Sequence, residues 1–318
     1  MILLLGSTGY IGQAFRQALE KRGETFRSLS RSEVDYTRFA PLYNFLKEHK
    51  PSFIVNAAGY TGKPNVDACE TAKADTLQGN TLFPQALANA CAALEIPWGH
   101  VSSGCIFAGC WVQTDDGWVV EKDMSKPEIR ALARTSPERL RGFDETMDPN
   151  FSFRDEPCSF YSGTKALGEE AISGVGQNYI WRLRIPFDEN DNGRNYLSKI
   201  QRYAKVYDNL NSLSHRTDYV NACLDTWFKK APFGTYNVTN PGFVSTAGVL
   251  EMIKAILKPE REFVFWESDA DFYSTGAVAL RSNCIMDSSK LQTAGITMRP
   301  VNDALAEALH GWKAQQSE

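Results

Sequence analysis

The strongest constraint on how this chain folds stands at its start. Met1 to Leu5 is an unbroken apolar run that ends in Gly6-Ser7-Thr8-Gly9-Tyr10-Ile11-Gly12, after which Ile11, Phe15 and Leu19 recur at helical spacing. A short run that is apolar on both faces reads as a buried strand of a parallel sheet, and a glycine turn leading from it into a helix opens a β-α-β unit. Lys21-Arg22-Gly23 gives that helix a basic last turn and a glycine C-cap. The alternation then repeats: strand Thr25 to Ser30, helix Ala40 to His49, strand Ser52 to Val55, helix Ala72 to Leu94, strand Trp98 to Ser102, helix Ser162 to Ile172, strand Tyr179 to Ile185. Alternating units with short links predict an α/β fold with a doubly wound parallel sheet covered by helices on both faces.

Between Phe107 and Ser159 the pattern gives way to a polar stretch with charges of both signs. That is too long for a structureless link, so a lid or excursion with a helix near Pro127 to Leu140 is expected. Further on, Asn195 to Lys205 reads as helix, Gly234 to Val238 as one more core strand, and Ser245 to Leu257 and Asn302 to Trp312 as late helices. The expected organisation is a Rossmann-type domain over residues 1–185 and about 217–242, with the excursion at about 108–158. A smaller, discontinuous α/β domain over about 186–216 and 243–318 would hold substrate.

A length of 318 residues with 43% hydrophobic and 23% charged residues suits one large or two modest globular domains and excludes a disordered or fibrous chain. A net charge of -4 offers no footprint for nucleic acid or an anionic membrane, so neither is an expected partner. Met1 to Leu5 is far shorter than a membrane span or signal peptide, and a cytoplasmic location is expected. Seven cysteines without a CxxC pair (Cys69, Cys91, Cys105, Cys110, Cys158, Cys223 and Cys284) fit reduced thiols. The four histidines share no ligand spacing, so no metal is expected. A homodimer is compatible with all of this and is not specified by it.

The three glycines between the first strand and the first helix bring backbone N–H groups and the positive helix end against a pyrophosphate, with no Cβ in the way. Gly6, Ser7, Thr8, Gly9, Tyr10, Ile11 and Gly12 are therefore candidate ligands of a dinucleotide, with a tight turn that binds nothing as the plainer alternative. The second strand ends in Ser28-Leu29-Ser30-Arg31, without the acidic residue that takes a ribose 2′-hydroxyl. A hydroxyl and the Arg31 guanidinium suit a 2′-phosphate, so NADP(H) is preferred and NAD(H) stays open. Asp35 and Tyr36 follow, beside the expected adenine.

Tyr161-Ser-Gly-Thr-Lys165 places a phenol and an ammonium four residues apart, on one face of a predicted helix. An ammonium beside a phenol lowers the tyrosine pKa and fits it to give a proton to a carbonyl under reduction. Ser102-Ser103 ends the preceding strand, at the edge where such sheets bind ligands.

With these elements the chain resembles the extended short-chain dehydrogenase/reductase family over nearly its whole length. Within that family it is most similar to the dTDP-4-dehydrorhamnose reductases and to the bifunctional 3,5-epimerase/4-reductases of nucleotide-rhamnose synthesis. The matching stretches are Asn56-Ala-Ala-Gly-Tyr-Thr-Gly-Lys-Pro-Asn-Val-Asp67, Ser103-Gly-Cys-Ile-Phe107, Ser159-Phe-Tyr-Ser-Gly-Thr-Lys165, Arg184-Ile-Pro186, Arg194-Asn195 with Lys199-Ile-Gln-Arg-Tyr203, Asn237-Val-Thr-Asn-Pro241 and Arg281-Ser-Asn283. The resemblance implies NADPH-dependent reduction of a nucleotide-linked 4-keto-6-deoxyhexose. It also implies that Ala57, Ala58, Gly59 and Ile185 line the cofactor, that Lys165 reaches the nicotinamide ribose and that Ser103 hydrogen-bonds the substrate carbonyl. Arg194, Asn195, Asn240 and Arg281 are the implied binders of the nucleotide sugar.

Family dehydratases carry an Asp-Glu pair just after the Ser or Thr, where this chain has Gly104-Cys105, so dehydration is not expected. The epimerase/reductases have a cysteine at that place, and the resemblance makes Cys105 and Lys199 the acid and base that invert C3 and/or C5. C–H bonds next to a C4 ketone are acidified by enolisation, and inversion needs a base on one face and an acid on the other. Without the resemblance, Cys105 reads as a small core thiol and Lys199 as part of a solvated helix face. The excursion is the departure from the family. Two rivals stay open: a redox-neutral NAD-dependent nucleotide-sugar epimerase, against which Arg31 speaks, and a non-catalytic NADP-binding regulatory subunit, against which the intact Ser103, Tyr161 and Lys165 set speaks.

Overall fold

Ile2–Leu5 is buried at every position, as a strand covered on both faces must be. The computed structural model describes residues 1–314 and places this segment inside a six-stranded parallel sheet. In chain order the strands are β1 (Ile2–Leu5), β2 (Phe26–Leu29), β3 (Phe53–Asn56), β4 (Trp98–Ser103), β5 (Asn178–Leu183) and β6 (Gly234–Asn237). Their spatial order is β2-β1-β3-β4-β5-β6. The covering helices are α1 (Tyr10–Lys21), α2 (Phe39–His49), α3 (Phe83–Ala93), α4 (Phe160–Ile172) and α5 (Arg216–Phe228). On one face Phe15, Leu19, Trp181, Tyr219 and Val220 seal α1 and α5 to the sheet. On the other, Leu42, Leu46, Leu87, Cys91 and Ile172 do the same for α2, α3 and α4.

The chain winds outward from β1 to β2, then crosses back to β3 on the other side. The carboxyl ends of β1 and β3 therefore diverge into a crevice, where sheets of this topology take their ligands. Later helices at Tyr196–Arg202, Thr246–Leu257 and Val301–His310 pack Leu197, Leu250, Ile253, Leu305 and Leu309 with Phe187 into a separate apolar cluster. Among the described residues, no helix is long and apolar enough to cross a membrane.

Two segments differ from the sequence expectation. The helix expected from Ala72 to Leu94 is a short turn of helix at Lys73–Leu77, a wide π-type turn at Gln78–Leu82, and then α3. Pro84 has no N–H for the ladder and its ring crowds the preceding turn, so the helix widens just before it. The widened turn brings the buried Asn80 side chain against the backbone of Tyr60, with bonds of 2.9 Å to both its N–H and its carbonyl. In the excursion the expected helix is present at Pro127–Thr135, beside an antiparallel hairpin, Cys110–Thr114 with Gly117–Glu121, flanked by Leu140–Arg141. The signal for it was Asp115-Asp116-Gly117 between two apolar runs, with Gly117 at φ +118°.

Gly99 on β4 shows how tightly the sheet centre is packed: an added Cβ would lie 1.9 Å from the Trp181 ring. Gly99→Ala is expected to destabilise the protein by about 1–3 kcal/mol, read as a lower denaturation midpoint with the slope unchanged.

Candidate functional site

The glycine turn divides into two tasks. Gly6 has φ +76° and an added Cβ there would meet Ala58 N at 2.5 Å, while one on Gly12 would lie 1.9 Å from the Gly6 carbonyl. Backbone packing alone demands glycine at both places. Gly9 is different. It has φ -73°, and the nearest atom to its added Cβ is 3.4 Å away, an ordinary contact. Close approach by a ligand is the physical reason left for it. Gly9 caps α1 without a side-chain acceptor and the first turn holds no acidic residue, so the N–H groups of Tyr10, Ile11 and Gly12 are suited to an anion. Ser7 is half-buried and Thr8 exposed beside them, and the Thr8 carbonyl accepts from Gln13 Nε2 at 3.0 Å.

Across the crevice, Ala57 N donates to the Leu5 carbonyl at 3.0 Å and Ala58 N to Asn56 Oδ1 at 3.0 Å. Asn56 Nδ2 in turn donates to His100 Nδ1 at 3.0 Å. Burial, with Lys165 nearby, holds the His100 ring well below its usual pKa and so neutral, as an acceptor at Nδ1 must be. This buried Asn–His pair, which sequence reading missed, fixes the wall made by Ala57, Ala58 and Gly59. Arg31 is exposed beyond β2, with no ion-pair partner among the described residues, and Asp35 is turned to Thr37. Tyr36 is not an open wall for a base. It is buried against Phe83 with its hydroxyl toward the Gly6 backbone, supporting the turn from below.

Ser159 caps α4 through Ser162 N at 3.1 Å, which sets Tyr161 and Lys165 on its inner face, both buried. Ser103, at the end of β4, accepts from Cys105 N at 3.1 Å and faces the Tyr161 hydroxyl. Lys165 Nζ donates to the Val101 carbonyl at 3.3 Å and lies against Gly59. Burial pushes Lys165 down to about 8, opposed by Glu169 and Cys105. The expectation that Lys165 depresses Tyr161 is not met in this arrangement. Burial pushes the phenol up, Cys105 adds to that, and the groups opposing it are Ser103 and Arg184.

Arg184, carried only inside a matching stretch of the sequence, is central to the geometry. The residue is 1% exposed, and its guanidinium donates from Nη1 to Cys105 Sγ at 3.0 Å, and from Nη2 to the Asn211 side chain and the Ser282 carbonyl. Ile185 follows at φ +36°, a costly conformation for a β-branched residue, and leads into Pro186. Cys105 thus faces Arg184, Tyr161 and Lys165. Lys199 is half-buried and is held below its usual pKa by burial and then by Arg194 and Arg281. Arg194 donates to the Gly62 carbonyl at 2.8 Å, and Arg281 makes a two-pronged pair with Asp67 at 2.7 and 2.9 Å. Lys199 has no ion-pair partner among the described residues, so three cations gather around one carboxylate.

Two expected substrate ligands are occupied elsewhere. Asn195 is fully buried, caps its helix through Leu197 N at 3.0 Å, and spends its amide protons on Asp188 and the Asn190 carbonyl. Asn240 is likewise buried between His215 N, Asp218 and the Arg299 carbonyl. Their side chains are committed to the scaffold, which corrects the sequence expectation. Conversely, Arg216 joins the Tyr10 carbonyl at 2.8 Å to Asp188 at 2.7 Å and lies 4.3 Å above the Tyr10 ring, which ties the glycine turn to the later half of the chain.

The family model of the RmlD substrate binding domain matches residues 1–139. A bifunctional dTDP-4-dehydrorhamnose 3,5-epimerase/dTDP-4-dehydrorhamnose reductase of Arabidopsis thaliana is 31% identical over 304 residues, covering 95% of this chain and 90% of that protein. A trifunctional UDP-glucose 4,6-dehydratase/UDP-4-keto-6-deoxy-D-glucose 3,5-epimerase/UDP-4-keto-L-rhamnose-reductase of the same plant is 32% identical over 304 residues, 95% of this chain. The chain spans 41% of that relative's length. Among solved structures, the L780 UDP-rhamnose synthase of Acanthamoeba polyphaga mimivirus shares the fold with a TM-score of 0.81 over 98% of both chains, at 24% identity.

The two tasks of the turn separate by mutation. Gly9→Ala is expected to leave the melting temperature within about 2 °C while weakening dinucleotide binding at least ~10-fold by calorimetry, whereas Gly12→Ala lowers the melting temperature by more than about 4 °C.

Proposed function

The chain belongs to the family of the dTDP-4-dehydrorhamnose reductases and their bifunctional 3,5-epimerase/reductase relatives, and from that premise we propose that it reduces a nucleotide-linked 4-keto-6-deoxyhexose with NADPH, after inverting C3 and/or C5. The observation that carries this reading is the meeting of Tyr161, Ser103, Lys165 and Cys105 at the carboxyl end of β4, next to the 57–59 wall. The residues fit the cofactor. Gly9 leaves open a cradle at the helix start, and Arg31 is exposed beyond β2, without an ion-pair partner among the described residues, where a 2′-phosphate is expected. When bound, the dinucleotide supplies the hydride that adds to sugar C4.

Ser103 holds the sugar O4, and Tyr161 gives it a proton as the carbonyl becomes an alcohol. Lys165, one turn on along the same face of α4, is the ammonium against which the phenolate forms. For epimerisation, a base takes the proton from C5 or C3 while the electron pair moves to O4 as an enolate, and an acid returns a proton on the other face. Cys105 and Lys199 take these two parts, and the Arg184 guanidinium supplies positive charge beside the thiol. Arg281 and Arg194 bind the diphosphate, with Lys199 at their side. In this reading residues 1–185 and about 217–242 hold the cofactor, and about 186–216 and 243–318 the sugar nucleotide.

The test is incubation with NADPH and a panel of dTDP-, UDP- and GDP-4-keto-6-deoxy sugars in deuterated water, with products read by mass and NMR. Tyr161→Phe is expected to slow reduction at least ~100-fold, and a wild-type rate in that variant overturns the assignment. Cys105→Ala should suppress deuterium uptake at C3 or C5 at least ~100-fold more than it slows reduction of a pre-epimerised substrate. Arg31→Ala is expected to cut the preference for NADPH over NADH by about 10-fold, measured as the ratio of kcat/KM values. Turnover without net NADPH consumption would favour a redox-neutral epimerase instead.

A further inference from the structure

Behind the proton-delivery pair lies a buried ion pair that the mechanism above does not use. Glu169 stands four residues after Lys165 on α4, on the same inner face, and its side chain is 8% exposed. Arg182 on β5, 6% exposed, grips its carboxylate with Nε at 3.0 Å and Nη2 at 2.8 Å, and the Ser102 hydroxyl donates to the other oxygen. Ser102 and Arg182 are direct partners in the β4–β5 register. Arg182 also lies 5.1 Å from the Phe107 ring, and its Nη1 has no hydrogen-bond partner among the described residues.

This arrangement is costly, because removing two charges from water cancels most of what their attraction returns, and a well-packed apolar pair is often as stable. Its placement is what stands out. Ser102 sits between Val101, whose carbonyl receives Lys165 Nζ, and Ser103, which faces Tyr161. We propose that Glu169 is a positioning residue for proton delivery: clamped by Ser102 and Arg182, its carboxylate presents a fixed negative charge to Lys165 from one helical turn away. The proposal rests on the reading of Tyr161 and Lys165 given above.

The groups facing Lys165 are few. From β4 comes His100, which is neutral, and from the turn after β4 comes Cys105. The 57–59 wall presents Gly59, which has no charge, and α4 itself brings Glu169 and, one turn before Lys165, the Tyr161 phenol, whose pKa burial raises. Arg182 lies beyond Glu169, on β5. Burial favours the neutral amine, and Glu169 is the largest influence that favours the ammonium. Loss of Glu169 therefore makes Lys165 shed its proton at lower pH, and reduction, which needs the ammonium, declines at lower pH as well.

The experiment follows the 13Cε signal of Lys165 against pH in lysine-labelled protein, assigned with Lys165→Arg, together with the pH profile of kcat/KM for reduction. In the wild type the signal should titrate near 8. In Glu169→Gln the midpoint, and the alkaline limb of the profile, should fall by about one pH unit, while Glu169→Asp restores both at least in part. Should the unpaired Arg182 prevent Glu169→Gln from folding, the double variant Glu169→Gln with Arg182→Met removes both charges and carries the same test. A midpoint that stays in place in a folded charge-removed variant overturns the proposal and leaves Glu169 a purely structural role. The NMR titration reads Glu169 whether or not the protein reduces a sugar, so its failure is distinct from an active Tyr161→Phe, which would overturn the assigned chemistry instead.

Discussion

The structure depends on one close approach of backbone to backbone. Gly6, Gly12 and Ala58 are packed so tightly that a single added carbon at either glycine would overlap the chain opposite. That contact draws the end of β1, the start of α1 and the loop after β3 into one crevice at the switch point of the sheet. Everything assigned to the site is measured from it. The Asn56–His100 pair steadies its far wall, Tyr36 supports it from beneath, and Arg216 ties its first helical residue to Asp188 in the later half of the chain.

Around this crevice the electrostatics are uneven in a consistent way. Buried cations outnumber nearby carboxylates: Arg184 is paired with a thiol and with neutral oxygens, and Lys165 is held by a carbonyl. Lys199 is pressed by two arginines of which, among the described residues, only one has a carboxylate. Buried positive charge without a carboxylate partner is expensive in isolation and well suited to a site that receives anions or builds negative charge on an oxygen during reaction. Two buried pairs are exceptions: Arg216 with Asp188 beside the glycine turn, and Glu169 with Arg182 behind Lys165.

Much of the fold was legible before any coordinates. Short strands of four to six residues alternating with amphipathic helices leave few arrangements open, and each of the six core strands lies within about two residues of its expected place. The misses have physical causes. The hairpin at 110–121 is signalled by two acidic residues and a glycine, easily taken for the tip of a polar loop. The break before α3 is set by Pro84 and by what Asn80 must reach. Tyr161, Lys165, Ser103 and Cys105 could be named from spacing and resemblance, because local geometry places them. Asn195 and Asn240 could not be told from ligands, since a polar side chain in a matching stretch looks the same whether it caps a helix or meets a substrate.

Period and spacing are local properties, and so the residue order alone settled the parallel sheet, the anion-ready glycine turn and the pairing of Tyr161 with Lys165 on one helix face. Distances between segments far apart in the chain are set by packing, and only the folded chain could reveal them. It was packing that put Arg184 on Cys105, clustered Lys199 with Arg194 and Arg281, and buried Glu169 against Arg182. It also reversed the expected shift of Tyr161, because removal from water outweighs the influence of its charged neighbours, and the degree of that removal is a property of the whole fold.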